Sequence, residues 1–272
     1  MNEINRQIAE ALSHIRQSKP LIHHITNLVV MNDTANVTLH LGALPVMAHA
    51  HEEVAQMTKM AGALVLNIGT LTSSWIESMR IAGGAANELG IPIVLDPVGA
   101  GATAFRTQMS QFLLKELQIT ILRGNAGEIG SLSGAGGVVK GVESVEGVKD
   151  PAAVAQAMAR ERKVVVAVGG KRDILSDGRR VLGVDNGHPW LTTITGTGCM
   201  ATTAVAAFAA VESDYLIAAA GGLACFGLAA ELAAQKASGP ASFKVALLDQ
   251  IYDLQPEQLA QGARVVELSG AA

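Results

Sequence analysis

Five short runs are apolar at almost every position and end in glycine, asparagine, aspartate or proline: "LPVM" (44–47), "ALVLNIG" (63–69), "PIVLDPVG" (92–99), "ITILRGN" (119–125) and "KVVVAVGG" (163–170). A strand with one wet face alternates apolar and polar residues. A strand that is apolar throughout must be covered on both faces, as in a parallel sheet. Stretches with helical spacing separate these runs: "EEVAQMTKM", "SSWIESMRIAGGAANELG", "TQMSQFLLKELQ" and "DPAAVAQAMARERK". The last opens on Asp150 as N-cap with Pro151 at the first helical position. The alternation predicts an α/β fold, a mostly parallel central sheet flanked by helices on both faces. Beyond Gly198 the pattern changes to successive helices through residue 262, and the next strand signal is "ARVVEL". No repeat or linker interrupts the chain, so residues 1–272 read as a single domain. In such sheets ligands bind beyond the carboxyl ends of the strands, which makes the polar residues there the candidates for function.

Composition removes several function classes. With 49% apolar and 16% charged residues the chain is not disordered, and so low a charge suggests that other subunits cover part of the surface. A net charge of -4 without a basic run argues against nucleic acid as a partner. Two cysteines, Cys199 and Cys225, lack metal-ligand spacing and suit a reducing cytoplasm. The N-terminal "MNEINRQIAEALSHIRQ" is an amphipathic helix rather than a signal peptide. The stretch 215–230, "YLIAAAGGLACFGLAA", falls short of the roughly 20 residues of a membrane span and reads as a buried core helix.

At the strand ends, Asp96 either holds a magnesium-bound water near phosphates or makes an Asx-turn before Pro97. In "ILRGNAGEIG", Asn125 as N-cap and Glu128 at N3 resemble a capping box. Alternatively Arg123 touches a phosphate and Glu128 orders water around Mg2+, a reading that gains weight beside Asp96. Gly169 and Gly170 either let backbone approach a nucleotide or make a tight turn into a hairpin, which the later Asp177-Gly178 turn favours. The strongest piece is "TGTGC" (195–199): Gly196 and Gly198 clear side chains from a helix start, where N–H groups and the helix dipole form an anion pocket. It is neither a P-loop nor a dinucleotide fingerprint. Cys199 lies in the first turn of that helix, where the dipole is expected to lower a thiol from its usual pKa of about 8.5. It is then a nucleophile or a weak general base, and no histidine is placed beside it. "HH" (23–24) and "HAH" (49–51) read as pocket or subunit-contact residues rather than metal ligands. Met47 is either core filler or a soft contact for a heteroaromatic ring.

Taken together, "HHITNLVVMNDTAN" (23–36), "PVMAHA" (45–50), "ALVLNIGTL" (63–71), "VLDPVGAGAT" (94–103), "ILRGNAGEI" (121–129) and "TGTGCM" (195–200) resemble the hydroxyethylthiazole kinases of the ribokinase-like superfamily. The resemblance implies ATP-dependent phosphorylation of the hydroxyl of hydroxyethylthiazole in thiamine biosynthesis and salvage. By the same resemblance Cys199 faces the hydroxyl, where the wider superfamily has aspartate. Gly196 and Gly198 bound the anion pocket, and Met47 contacts the thiazole with Asn27 and Val29 nearby. Arg123, Asn125, Gly169 and Gly198 bind ATP, and Asp96 and Glu128 organise Mg2+. It further implies a cytoplasmic homotrimer with active sites between subunits, the 23–51 segment of one copy meeting the glycine–cysteine turn of another. Similar proteins carry threonine or serine at the position of Gly169, so a backbone or water contact replaces that hydroxyl here, at a cost of about 0.5–1.5 kcal/mol. Other readings are a kinase of the same fold for another vitamin-type alcohol such as hydroxymethylpyrimidine, and an inactive nucleotide- or thiazole-binding protein. Cys199 argues against the first, and the joint presence of Asp96, Arg123 and Glu128 against the second.

Overall fold

Every strand in the middle of the sheet divides its apolar residues between two cores. Along β3 (Ala63–Asn67), Val65 enters a core on one face of the sheet while Leu64 and Leu66 enter a core on the other. β4 (Ile93–Asp96) repeats this with Val94 against Ile93 and Leu95. The runs lack polar positions because neither face meets water. The computed structural model describes residues 2–134, 138–140, 143–146 and 149–268. β1 (Leu21–Ile25), β2 (Leu44–Val46), β5 (Ile121–Asn125) and β8 (Val165–Gly169) complete the parallel part of one nine-stranded sheet. A pair, β6 (Val138–Lys140) and β7 (Glu143–Glu146), stands apart from that sheet. β9 (Asp173–Ser176), β10 (Val181–Val184) and β11 (Val265–Leu268) extend the large sheet antiparallel to their neighbours. The strand order is β11-β10-β9-β8-β5-β4-β3-β1-β2. The expected mostly parallel sheet is therefore present, with an antiparallel flank beyond Gly169.

Helices α1 (Glu3–Ser18), α2 (Met31–Leu41), α8 (Thr197–Ala209), α9 (Tyr215–Ala234), α10 (Pro240–Asp253) and α11 (Pro256–Gly262) supply the first core. α3 (Val54–Thr58), α4 (Ser73–Leu89), α5 (Ala104–Glu116), α6 (Ala126–Ser133) and α7 (Pro151–Arg162) supply the second. α7 begins as the sequence predicts, Asp150 accepting from the Ala153 N–H ahead of Pro151. α9 runs to 20 residues, longer than its apolar stretch suggests and long enough to span a bilayer, yet it is buried among other helices. It is apolar all round because every side is packed. The "LPVM" run departs from expectation: β2 is an edge strand, and Leu44 at its start is exposed.

β1 carries two histidines in its middle, which hid it as a strand. Both are fully buried, on opposite faces. His23 sits between the Thr58 hydroxyl and the Ala48 carbonyl, at 2.9 and 2.8 Å. His24 Nε2 lies 3.1 Å from Thr38 Oγ1. Since Thr38 donates its own proton to the Thr34 carbonyl, His24 Nε2 is the donor and Nδ1 is left a bare, unpartnered acceptor. Burial, with smaller contributions from His23 and His49, lowers the His24 pKa to about 3. These two histidines are core residues, not pocket residues.

This makes stability depend on pH in a stated direction. The unfolded imidazole takes a proton near pH 6.5 and the folded one only near 3, so between those values the unfolded chain binds more protons. Stability falls as pH drops through 6.5. Relative to a His24→Gln variant, which has no such proton to take up, the wild-type chain should lose about 2 kcal/mol more between pH 7 and pH 5. Urea unfolding at both pH values measures this, and parallel losses in the two proteins would show that His24 is not held neutral.

Candidate active site

The carboxyl ends of β1, β3 and β4 meet the start of α8. Parallel pairing sets Asn67 of β3 directly beside Asp96 of β4. Asp96 is almost fully buried, and one of its oxygens, Oδ2, accepts from Asn67 Nδ2 at 2.9 Å and from Thr202 Oγ1 at 2.8 Å. Asn67 Nδ2 also donates to Cys199 Sγ at 3.2 Å, and Asn27 Nδ2 lies 3.5 Å from the same sulfur. Cys199 and Thr202 stand three residues apart on α8, so one helix face presents both groups to the strand ends. The Asx-turn reading of Asp96 is thus secondary to a buried network. Asn27 has its amide committed behind the sulfur, and its Oδ1 accepts from the Val29 N–H at 3.1 Å.

Glu128 realises the capping-box reading and adds a second, long-range contact. Asn125 caps α6 through the Glu128 N–H, and Glu128 Oε2 accepts from the Asn125 N–H at 2.8 Å, closing the capping box. Its other oxygen accepts from the Gly99 N–H at 2.7 Å, which ties the loop after β4 to the end of β5. Burial, followed by the charge of Asp96, raises Glu128 to about 7, and burial also raises Asp96. Arg106 on α5 fastens the neighbouring loops by donating to the carbonyls of Ile68, Gly69 and Val98.

Arg123 is the cation of this cluster. It acts on Asp96, Glu128, Cys199 and Asp173 through its charge, yet it makes no ion pair with any described residue, and its buried Nε has no hydrogen-bond partner. Glycines clear its surroundings: a Cβ at Gly198 would lie 3.0 Å from Nη1, and one at Gly169 would lie 3.3 Å from Nη2. The guanidinium therefore spans from the end of β8 to the start of α8. Glycine at 169 gives it room. Gly170 donates to Asp173, which closes the turn into β9, and burial raises Asp173 to about 6.

Gly196 caps α8 with φ of 83°, a conformation that side chains resist. A Cβ there would overlap Val30 Cγ1. Val30 and Asn27 thus pack on the glycine–cysteine turn of their own chain, and part of the contact expected between copies forms within one. Val29 projects outward, 61% exposed, beside Leu28. Met47, half-buried, follows the edge strand β2.

The thiol corrects one expectation. Burial first, and the Asp96 charge second, push Cys199 up to about 12, against the smaller opposing effects of the Asn67 and Asn27 amides and Arg123. The helix start does not produce a thiolate. Asn67, Thr202, Asp173 and Arg106 escaped the sequence reading. Asn67 had a signal, since it ends "ALVLN" as Asp96 ends "PIVLD". Thr202 had one in its helical spacing from Cys199, whereas Arg106 had none. No group of three His, Cys, Asp or Glu side chains able to hold a metal directly occurs among the described residues.

Known proteins carry the same arrangement of sequence and fold. Residues 12–257 match the model of the hydroxyethylthiazole kinase family. The chain is 69% identical to a hydroxyethylthiazole kinase of Roseiflexus sp. (strain RS-1), over 98% of this chain and 99% of that one. The solved hydroxyethylthiazole kinase of Pyrococcus horikoshii OT3 superposes with a TM-score of 0.89 at 47% identity, covering 96% of this chain and 99% of that one. A ribokinase-like superfamily protein of Enterococcus faecalis V583 shares the fold alone, with a TM-score of 0.59 at 13% identity over 92% of this chain and 82% of that one.

The two glycines of the turn should respond differently to alanine. Gly196→Ala forces a side chain into the left-handed region, costing about 1–2 kcal/mol before the overlap with Val30 is relieved. Its melting temperature should fall by several degrees. Gly198→Ala sits in a helix against a flexible guanidinium, so its melting temperature should hold or rise slightly. Equal losses in thermal unfolding would contradict this geometry.

Proposed function

The chain belongs to the hydroxyethylthiazole kinase family, and on that premise we propose how its residues divide the reaction. The reaction is transfer of the terminal phosphoryl group of ATP to the hydroxyl of hydroxyethylthiazole, which serves thiamine biosynthesis. Phosphoryl transfer passes through a loose transition state, so catalysis rests on positioning and on charge stabilisation. One observation carries the division of labour: an unpaired, part-buried Arg123 beside a glycine-cleared helix start, with Cys199 three residues into that helix. Arg123 and the backbone N–H groups around Gly196 to Gly198 hold the phosphates. Gly169 and Asn125 border the nucleotide from the ends of β8 and β5. Met47, Val29 and the Gly196 backbone bound the thiazole, and Asn27 acts on the acceptor through the sulfur.

Asp96 and Glu128 suit a magnesium ion held through its own waters. Their oxygens already accept hydrogen bonds from the protein, and the charge of Asp96 adds to the need of Glu128 for a positive neighbour. Bound there, Mg2+ would neutralise phosphate charge. Cys199, held up near 12, is a neutral thiol at physiological pH. It orients the acceptor hydroxyl, and it is not a preformed base. Exposed Leu28, Val29, Leu39, Leu44 and Met60 support a homotrimer whose neighbouring copy completes the thiazole pocket. Light scattering tests that assembly. Free thiols at both cysteines agree with a cytoplasmic protein.

Removing the thiol should therefore slow turnover without weakening nucleotide binding. Cys199→Ala is expected to lower kcat by about 10- to 100-fold, at or below the lower end of what a general base contributes, with KM for ATP unchanged within about two-fold. Steady-state kinetics with hydroxyethylthiazole as acceptor measures both. A large rise in KM for ATP, or unchanged kcat, would remove Cys199 from the acceptor side.

A further inference from the structure

We infer that Asn67 is the positioning residue that aims Cys199 at the acceptor hydroxyl. The inference rests on the reading of Cys199 given above. It starts from the complete occupancy of the Asn67 amide. Its Oδ1 accepts from the Gly69 N–H at 3.0 Å and from Asn27 Nδ2 at 2.8 Å. Two donors on that oxygen fix the orientation of the amide, so both Nδ2 protons must point the other way, one to Asp96 Oδ2 at 2.9 Å and one to Cys199 Sγ at 3.2 Å. The residue is 1% exposed, and no other geometry is open to it.

The sulfur depends on this residue twice. It accepts directly from Asn67, and its second, longer contact comes from Asn27, whose own Nδ2 is anchored on Asn67 Oδ1. Removing the Asn67 amide frees both donors. Asp96, by contrast, keeps the Thr202 hydroxyl on the same oxygen. The loss therefore falls on the thiol. With two amide N–H groups directed at its lone pairs, the sulfur is fixed against rotation about Cα–Cβ, and its S–H is turned away from those donors rather than free to rotate about Cβ–Sγ. An acceptor hydroxyl meets a thiol that already points one way, which is the entropic part of catalysis by orientation. Aspartate at 67 would present acceptors where donors are needed, and leucine would present none.

A double-mutant cycle separates action through the sulfur from general support of the fold. Wild type, Asn67→Ala, Cys199→Ala and the double variant are assayed for phosphorylation of hydroxyethylthiazole. Asn67→Ala should lower kcat about ten-fold with KM for ATP within about two-fold of wild type, and should change kcat less than about two-fold when Cys199 is already alanine. Equal fold losses in both backgrounds would overturn the inference while leaving the role of Cys199 intact. Full turnover by Cys199→Ala alone would instead overturn the role of the thiol, and the inference with it. If Asn67→Ala is not folded by circular dichroism, Asn67→Ser, which keeps a short polar group, takes its place in the same cycle.

Discussion

The buried carboxylate of Asp96 is the interaction on which the strand ends depend. An ionised acid removed from water is costly unless hydrogen bonds replace its hydration. Here the replacements come from two different elements, Asn67 on the adjacent strand and Thr202 on α8. Satisfying one buried acid thus locks the sheet to the start of α8. The same requirement brings Cys199 against Asn67, where burial first and the charge of Asp96 second keep the thiol protonated. Structure and chemistry are coupled at this point: the acid that holds α8 in place adds to the burial that keeps its thiol neutral.

Charge balance explains the remaining layout. Asp96, Glu128 and Asp173 are all raised by burial, and Arg123 is the cation common to all three. Arg123 is not consumed by an ion pair with any of them, so its guanidinium stays available at the mouth of the turn. The glycines at 169 and 198 leave it space, and the helix dipole adds to its field. In the function proposed above, anionic phosphates would satisfy the arginine and the helix start while a hydrated dication would satisfy the acids, two complementary needs that a magnesium–nucleotide complex would meet together.

Much of this was legible in the sequence because backbone rules govern it. The apolar runs marked the parallel strands, Asn125 and Glu128 marked the capping box, and "TGTGC" marked the helix start. β1 escaped because a single sequence does not reveal that Thr38, Thr58 and the Ala48 carbonyl wait for two buried histidines. The state of Cys199 is hidden in the sequence for a similar reason. Helix position is local and readable, whereas burial and the proximity of Asp96, 103 residues earlier, arise only in three dimensions. Asn67 and Arg106 belong with it: their roles are long-range hydrogen bonds, invisible to periodicity. The contact of Val30 and Asn27 with their own chain's turn likewise depended on how β1 and α8 meet, not on either segment alone.

Co-crystallisation with an unreactive ATP analogue, Mg2+ and hydroxyethylthiazole tests the assignment most directly. The terminal phosphate should lie within hydrogen-bond distance of Arg123 and of the backbone N–H groups at the start of α8, with the thiazole hydroxyl on Cys199 Sγ. A nucleotide whose terminal phosphate sits away from residues 196–199, or an alcohol that leaves the thiol uncontacted, would contradict it.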